Sequence, residues 1–248
     1  MLGKSSYSQE TEAELLPDGD VMSTEFLKRE DVMTWESRKR ARFVNSLSGF
    51  KSATLIGTYD SEFGPNLSIV SSVVHLGSTP PMMGFVLRPP GKDAHTYKNI
   101  KKTRICTFNH VNDRIIEQAH QTSARYPREA SEFEEVGLTP AWIDGWMAPC
   151  VEESRVKMGL TLIDDIELAN GCRFMTCEVN WFDVESTGLC EDGFVDLNEL
   201  GGVTISGLDG YHGTPKIFRL SYAKTNLELK KMLDFDDGWD DNSDNGHN

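Results

Sequence analysis

Long apolar runs are missing from this chain of 248 residues. None approaches the roughly 18–20 residues that a membrane span needs, and the opening MLGKSSYSQETEAELLPDG carries no apolar stretch of the kind a secretory signal uses. Cysteine is scarce, with five residues and no CxxC, so a disulfide scaffold, a zinc ribbon and a thioredoxin-like site all lack support. Cys172 and Cys177 lie five apart in one strand-like run and are expected on opposite faces, as reduced structural thiols, which makes the cytoplasm the default compartment. GxGxxG, GxxxxGK[ST], HExxH and GxSxG do not occur. The six histidines show no metal-ligand spacing, so no metal site is expected. Positive charge is also short: 25 Lys and Arg face 39 Asp and Glu, a formal charge of −14. A protein held to nucleic acid by phosphate contacts needs the opposite balance, and an anionic membrane surface would repel this one.

The acidity sits at the ends. Residues 1–36 hold nine acids and three bases, and the last fifteen residues hold six aspartates with no Lys or Arg, a net −6 in each case. The body between them is close to neutral at −2. This divides the chain into an acidic extension at 1–35, one domain at 36–233, and an acidic, solvating tail at 234–248.

Within the body, ESRKRARFVNSLS reads as a short helix stopped at Gly49. ATLIGTYD reads as a strand, SEFGPN as a turn, NLSIVSSVVHLG as one long strand, and MMGFVLRP as another, closed by PPG. KDAHTYKNIKKT has helical spacing with Asp93 placed to cap it, RICTFNHV is a strand, and NDRIIEQAHQTSARYP is a second helix. SEFEEVGLTPAW is a loop or short helix. RVKMGLTLIDDIEL and CRFMTCEVNWFDVE form two long antiparallel strands joined at the hairpin dipeptide Asn170-Gly171. The stretch 200–225 is Gly-rich and ends in a short strand. Evenly spaced strands with helices inserted rather than alternating predict a mainly β, antiparallel barrel; a doubly wound α/β sheet is the weaker reading.

Two surfaces could carry chemistry. Between Arg88 and Arg104 stand six bases and one acid, Asp93, an island of positive charge in an acidic protein. The turn into the helix at 92–96 offers backbone N–H groups and a favourable dipole end to an anion, with Thr96 and Asn99 as further donors. Lys98, Lys101 and Lys102 read equally as a solvated helix face. The second surface is NLSIVSSVVHLG, where Ser68, Ser71 and Ser72 interrupt a Val/Ile run and would let a flat ligand approach the backbone. A sheet face with serine on its wetter side explains it almost as well.

Taken together, the segments 57–89 and 92–111, the EFEEVGLTPAW loop at 132–142 and APCVEES at 148–154 resemble the flavin reductase-like family, the FMN-binding split barrels that include flavoredoxin. The resemblance spans about 50–185. It implies a Greek-key split barrel, a homodimer with FMN near each subunit boundary, and hydride transfer from NAD(P)H to flavin. It places Ser71 and Ser72 along the flavin, Arg88, Lys92, Thr96 and Asn99 at its phosphate, and Asn109 facing it. The family's Thr usually follows the Asp directly; here Ala94 and His95 intervene, so either His95 or Thr96 takes that contact. Tyr211, His212 and Arg219 are candidates to cover the nicotinamide face.

Three functions fit this resemblance: an NAD(P)H:flavin oxidoreductase supplying reduced FMN to a partner oxygenase or another acceptor, an FMN-carrying electron-transfer protein without nicotinamide activity, and an interaction barrel whose flavin site has decayed. Replacing Arg88 and Lys92 together by Ala should markedly weaken FMN retention, measured by flavin fluorescence titration. An unchanged affinity would show that the phosphate site lies elsewhere.

Overall fold

Strand-period burial along two long hairpins organises the main body of the protein, for which a computed structural model describes residues 24–213, 216–225 and 227–232. Most of the acidic extension and the whole acidic tail lie outside the described residues. Two units are distinguished, divided after Val44. In the first, α1 (Arg29–Thr34) precedes α2 (Ser37–Ser46), which runs across the division; neither helix buries a residue. Trp35 meets Phe43 edge to face at 5.1 Å and carries the Lys39 ammonium 4.2 Å over its ring. The chain leaves α2 through Gly49, whose φ of +74° suits the stop expected there.

In the second unit the chain runs β1 (Lys51–Ser52), β2 (Thr54–Asp60), β3 (Gly64–Val70), β4 (Val74–Ser78), β5 (Pro81–Leu87), α3 (His95–Thr103) and β6 (Ile105–His110). There follow α4 (Ile116–Gln121), α5 (Glu132–Val136), β7 (Pro140–Ala141), β8 (Cys150–Val151), β9 (Val156–Glu167) and β10 (Arg173–Val184). The last elements are β11 (Val203–Ser206), β12 (Gly210–Gly213), β13 (Arg219–Leu220) and β14 (Lys231–Met232). Seven strands form one antiparallel sheet in the order β3-β2-β6-β9-β10-β5-β4, and β1-β11-β12 form a smaller one.

The sheet is forced to curl. β3 and β4 are its two edges, yet only Ser71–Val73 separates them. Four Cα steps reach at most about 14 Å, whereas a flat sheet would hold the edges about 29 Å apart, six spacings of about 4.8 Å. The strand expected over NLSIVSSVVHLG is therefore broken at 71–73, where the chain leaves one edge and joins the other. Ser72 spans the break: its hydroxyl donates to the Val86 carbonyl (2.8 Å) and accepts from the Val86 N–H (3.1 Å), continuing the β4–β5 register by a side chain. The result is the mainly β split barrel expected, with an unclosed antiparallel sheet.

Alternation fills it. Met158, Leu160 and Leu162 of β9 and Met175, Cys177 and Val179 of β10 point to one interior with Ile56, Phe85, Ile100 and Phe108. Phe85 and Phe108 meet edge to face at 5.3 Å. Leu55, one residue from Ile56, faces the second core with Leu67, Val111, Phe133 and Ile205. Gly171 turns the β9–β10 hairpin at φ +79°. The helix expected from Asn112 to Pro127 contracts to α4, because Asn112 first bridges Gly202 and takes the Arg114 N–H on its side chain.

Among the described residues β3 has no strand partner on its outer side, and side chains from 122–132 stand in for one. Ser131 Oγ donates to the Pro65 carbonyl (2.9 Å), the Leu67 N–H donates to Glu132 Oε2 (3.0 Å) and the Ile69 N–H donates to Thr122 Oγ1 (3.0 Å). Burial pushes the Glu132 carboxyl above its usual range, against the pull of the Leu67 N–H. Glu132→Ala should destabilise by about 1–3 kcal/mol, the cost of a buried donor left unpaired. Glu132→Gln, which keeps an acceptor, should lose less, as read from urea unfolding midpoints.

Candidate functional site

Helix α3 is a basic helix anchored by polar side chains. Its spacing buries Thr96, Asn99 and Ile100 and leaves Lys98, Lys101 and Lys102 outside. Ile100 enters the barrel core, while the two polar residues dock on the first hairpin. Asn66 Nδ2 donates to Thr96 Oγ1 (3.0 Å), and Asn99 Nδ2 donates to Thr58 Oγ1 (3.0 Å). Asp93 does not cap the helix: Ala94 occupies the cap position, with no side-chain capping bond.

Instead Asp93 lines a cleft of about 500 Å³ with Lys92, His95, Lys98, Lys102, Arg128, Asp60 and Glu129, closed by Phe63, Tyr126 and Pro127. Lys92 and Lys98 have no carboxylate partner among the described residues. Asp60 lies 3.3 Å from Lys102 Nζ and 3.0 Å from Arg128 Nη2, and its other oxygen accepts the Glu62 N–H (2.9 Å). That backbone donor, then Lys102, holds the Asp60 carboxyl below its usual range. Burial, and after it the nearby Arg128, lowers the His95 pKa, so near pH 7 the imidazole is neutral and offers hydrogen bonds rather than charge. Four permanent cations around three carboxylates make a site suited to a small anion.

Of the residues proposed from sequence, the structure brings Lys92, His95, Thr96 and Asn99 together here, the first two at the surface and the last two beneath it. Arg88 is exposed beyond β5 and does not line the cleft. Ser71 is half-buried in the edge crossing, where Ser72 is already engaged with Val86. Asn109 is fully buried: its amide donates to Leu55 O and Thr107 Oγ1, and its oxygen accepts the Val151 N–H (2.9 Å). With Thr107 donating to Pro149 O (2.6 Å), it straps the 149–151 segment over Gly57, where a Cβ would lie 2.1 Å from that carbonyl. Tyr211 contacts His120, His212 contacts Ser206 and Phe50, and Arg219 pairs with Asp192 and stacks on Phe194; none lines the cleft. Sequence reasoning missed Asp60, Phe63 and Arg128. Asp60 and Phe63 stand in the 57–89 segment that carries the resemblance, and Arg128 is marked only by its place after Pro127.

The far side of α3 is pinned by a buried carboxylate. Asp165 accepts from Tyr97 OH (2.9 Å), Lys101 Nζ (2.8 Å) and Arg173 Nε (2.7 Å). Burial opposes its ionisation, but the Arg173, Lys101 and Tyr97 donors outweigh it and hold the pKa to about 2.

An open antiparallel barrel with a cationic cleft at a basic helix has the architecture of the split barrels, and comparison with known proteins narrows it. The model of the flavin reductase like domain matches residues 47–195. A flavin reductase candidate with a split-barrel domain from Shewanella frigidimarina is 49% identical, with TM-score 0.78 over 81% of this chain and 100% of its own. Nitrilotriacetate monooxygenase component B of Bacillus cereus is 18% identical (TM-score 0.69, 80% of this chain and 100% of its own), which speaks for the fold alone. Flavoredoxin of Desulfovibrio vulgaris is 23% identical (TM-score 0.60, 72% and 92%). No curated protein matches the chain. The chain belongs to the flavin reductase like domain family.

Because the folded-state pKa of Asp165 is depressed, its stabilising contribution is present above pH 3.8 and is lost as the pH falls towards about 2. Asp165→Asn should lower the urea midpoint at pH 6. The gap to the parent protein should narrow steadily between pH 4 and pH 2.

Proposed function

We propose that this protein is an oxidoreductase of the flavin reductase type, binding FMN and taking hydride from NAD(P)H. The observation that carries the reading is the cationic cleft itself, which lies inside the segment matched by the family, at the entry to α3. Its donor set fits the phosphate end of a flavin nucleotide: Lys92 and Lys98 bring positive charge with no carboxylate partner among the described residues, and neutral His95 brings a hydrogen bond. Thr96 and Asn99 set the helix through Asn66, Thr58 and Arg128, and the Thr96 hydroxyl, which only accepts from Asn66, keeps its proton for a ligand. Ser71 and the backbone of the 71–73 crossing would border the ring system, with Ser72 fixing that backbone and Asn109 shaping the strap behind it. Arg88, exposed at the end of β5, is in this reading a mobile cation that approaches the phosphate from outside.

FMN, when bound, supplies the two-electron chemistry. The protein's own contribution is to bind, to orient, and to present backbone N–H groups where negative charge develops. In the same reading the protein works as a homodimer in the cytoplasm and hands electrons to an oxygenase partner or another acceptor. The exposed apolar cluster of Trp142, Ile143 and Met147 beside Tyr59 supports subunit contact, and the B. cereus neighbour, by its name, supports an oxygenase partner.

Anaerobic stopped-flow mixing with NADH and with NADPH tests the activity. Flavin absorbance should bleach at least about tenfold faster than in the uncatalysed mixture, a barrier lowered by about 1.4 kcal/mol or more. FMN that binds but bleaches no faster would leave an FMN carrier without nicotinamide activity.

A further inference from the structure

Arg128 enters the cleft already held on three sides. Its Nη2 donates to Asn99 Oδ1 (2.7 Å) and lies 3.0 Å from Asp60 Oδ2, while the guanidinium carbon sits 4.9 Å from the centre of the Phe63 ring. The two polar holders are themselves fixed: Asn99 is fully buried and bonded to Thr58, and Asp60 accepts the Glu62 N–H. The Arg128 side chain is 20% exposed, against 57% for Lys102 on the same cleft. A lysine at the rim must give up rotamer freedom to grip an anion; Arg128 has given it up on folding. A guanidinium carries five N–H donors, and among the described residues only Nη2 is hydrogen-bonded, so Nε–H and Nη1 remain for a ligand. Their planar arrangement matches phosphate oxygens better than an ammonium does.

We infer that Arg128 is the phosphate-reading residue of the flavin site, with Asn99 and Asp60 as its positioning residues, and that it makes the protein choose FMN over riboflavin. The inference rests on the flavin reading above but adds to it a residue that lies 24 positions downstream of Arg104, outside the basic island. The shared chemistry is a phosphate monoester, which FMN carries at its ribityl end and NADPH, unlike NADH, carries on a ribose 2′-oxygen.

Dissociation constants for FMN and riboflavin, from flavin fluorescence titration of the parent, Arg128→Ala and Arg128→Lys, decide the matter. The parent should prefer FMN. Arg128→Ala should weaken FMN by about ten- to a hundredfold, the loss of a hydrogen bond to a charged group, and leave riboflavin unchanged. Arg128→Lys, which keeps the charge and a donor for Asn99, should fall between. If Arg128→Ala does not fold by circular dichroism, Arg128→Lys decides alone: a reduced FMN preference supports the inference and an unchanged one overturns it. Equal weakening of both flavins would make Arg128 a structural pin of its loop and overturn the inference. So would a kept FMN preference with a lost preference for NADPH over NADH, which would assign the phosphate to the dinucleotide. A parent that binds FMN no tighter than riboflavin would instead refute the phosphate cleft, and the inference with it.

Discussion

Three residues, Ser71–Val73, carry the chain from one edge of the main sheet to the other, and the rest of the body follows from that short reach. A seven-stranded sheet whose edges are tied so closely cannot stay flat, so it wraps around Phe85, Phe108 and Ile100. Ser72 seals the crossing through Val86, which turns a polar side chain into part of the ladder. The same wrapping exposes β3 as an edge, and the 122–132 segment covers it with Thr122, Ser131 and Glu132. Covering that edge brings Pro127 and Arg128 beside α3. The curl of the sheet and the construction of the cleft thus rest on the same crossing.

The cleft is a balance of charges rather than a bare basic patch. Asp60 sits between Lys102 and Arg128 and offsets the repulsion between the two cations. Lys92 and Lys98 stand at the rim, where the Lys98 ammonium donates to the Lys92 carbonyl (2.5 Å) and has two further N–H groups. Asn99 links both halves, since one end of its amide holds β2 through Thr58 and the other holds Arg128. A buried amide with both ends bonded has one geometry open to it, and so it passes the position of the sheet on to the cation.

Much of the fold was legible locally. Period-two burial in β9 and β10, the Asn170-Gly171 turn and the stop at Gly49 all follow from short-range rules that the tertiary structure does not override. The errors share one cause. NLSIVSSVVHLG has strand propensity throughout, but the crossing at 71–73 is a demand of the whole sheet. Asp93 has the chemistry of a cap, but it faces the cleft. In the 112–127 segment, a bridge from Asn112 to Gly202 outweighs helical propensity in the first turn.

The sequence by itself determined the basic island at 88–104, the antiparallel β character and the resemblance that named the family, because charge, periodicity and motif order are properties of neighbouring residues. Only the tertiary structure decided which of those bases face one cleft. It set Lys92, Lys98 and Lys102 on one cleft with Asp60 and Arg128, left Arg88 off its lining, and engaged Thr96, Asn99 and Asn109 in internal bonds. The physical reason is range. Arg128 meets Asn99 across 29 residues and Asp60 across 68, and no local rule couples residues so far apart until the sheet has curled.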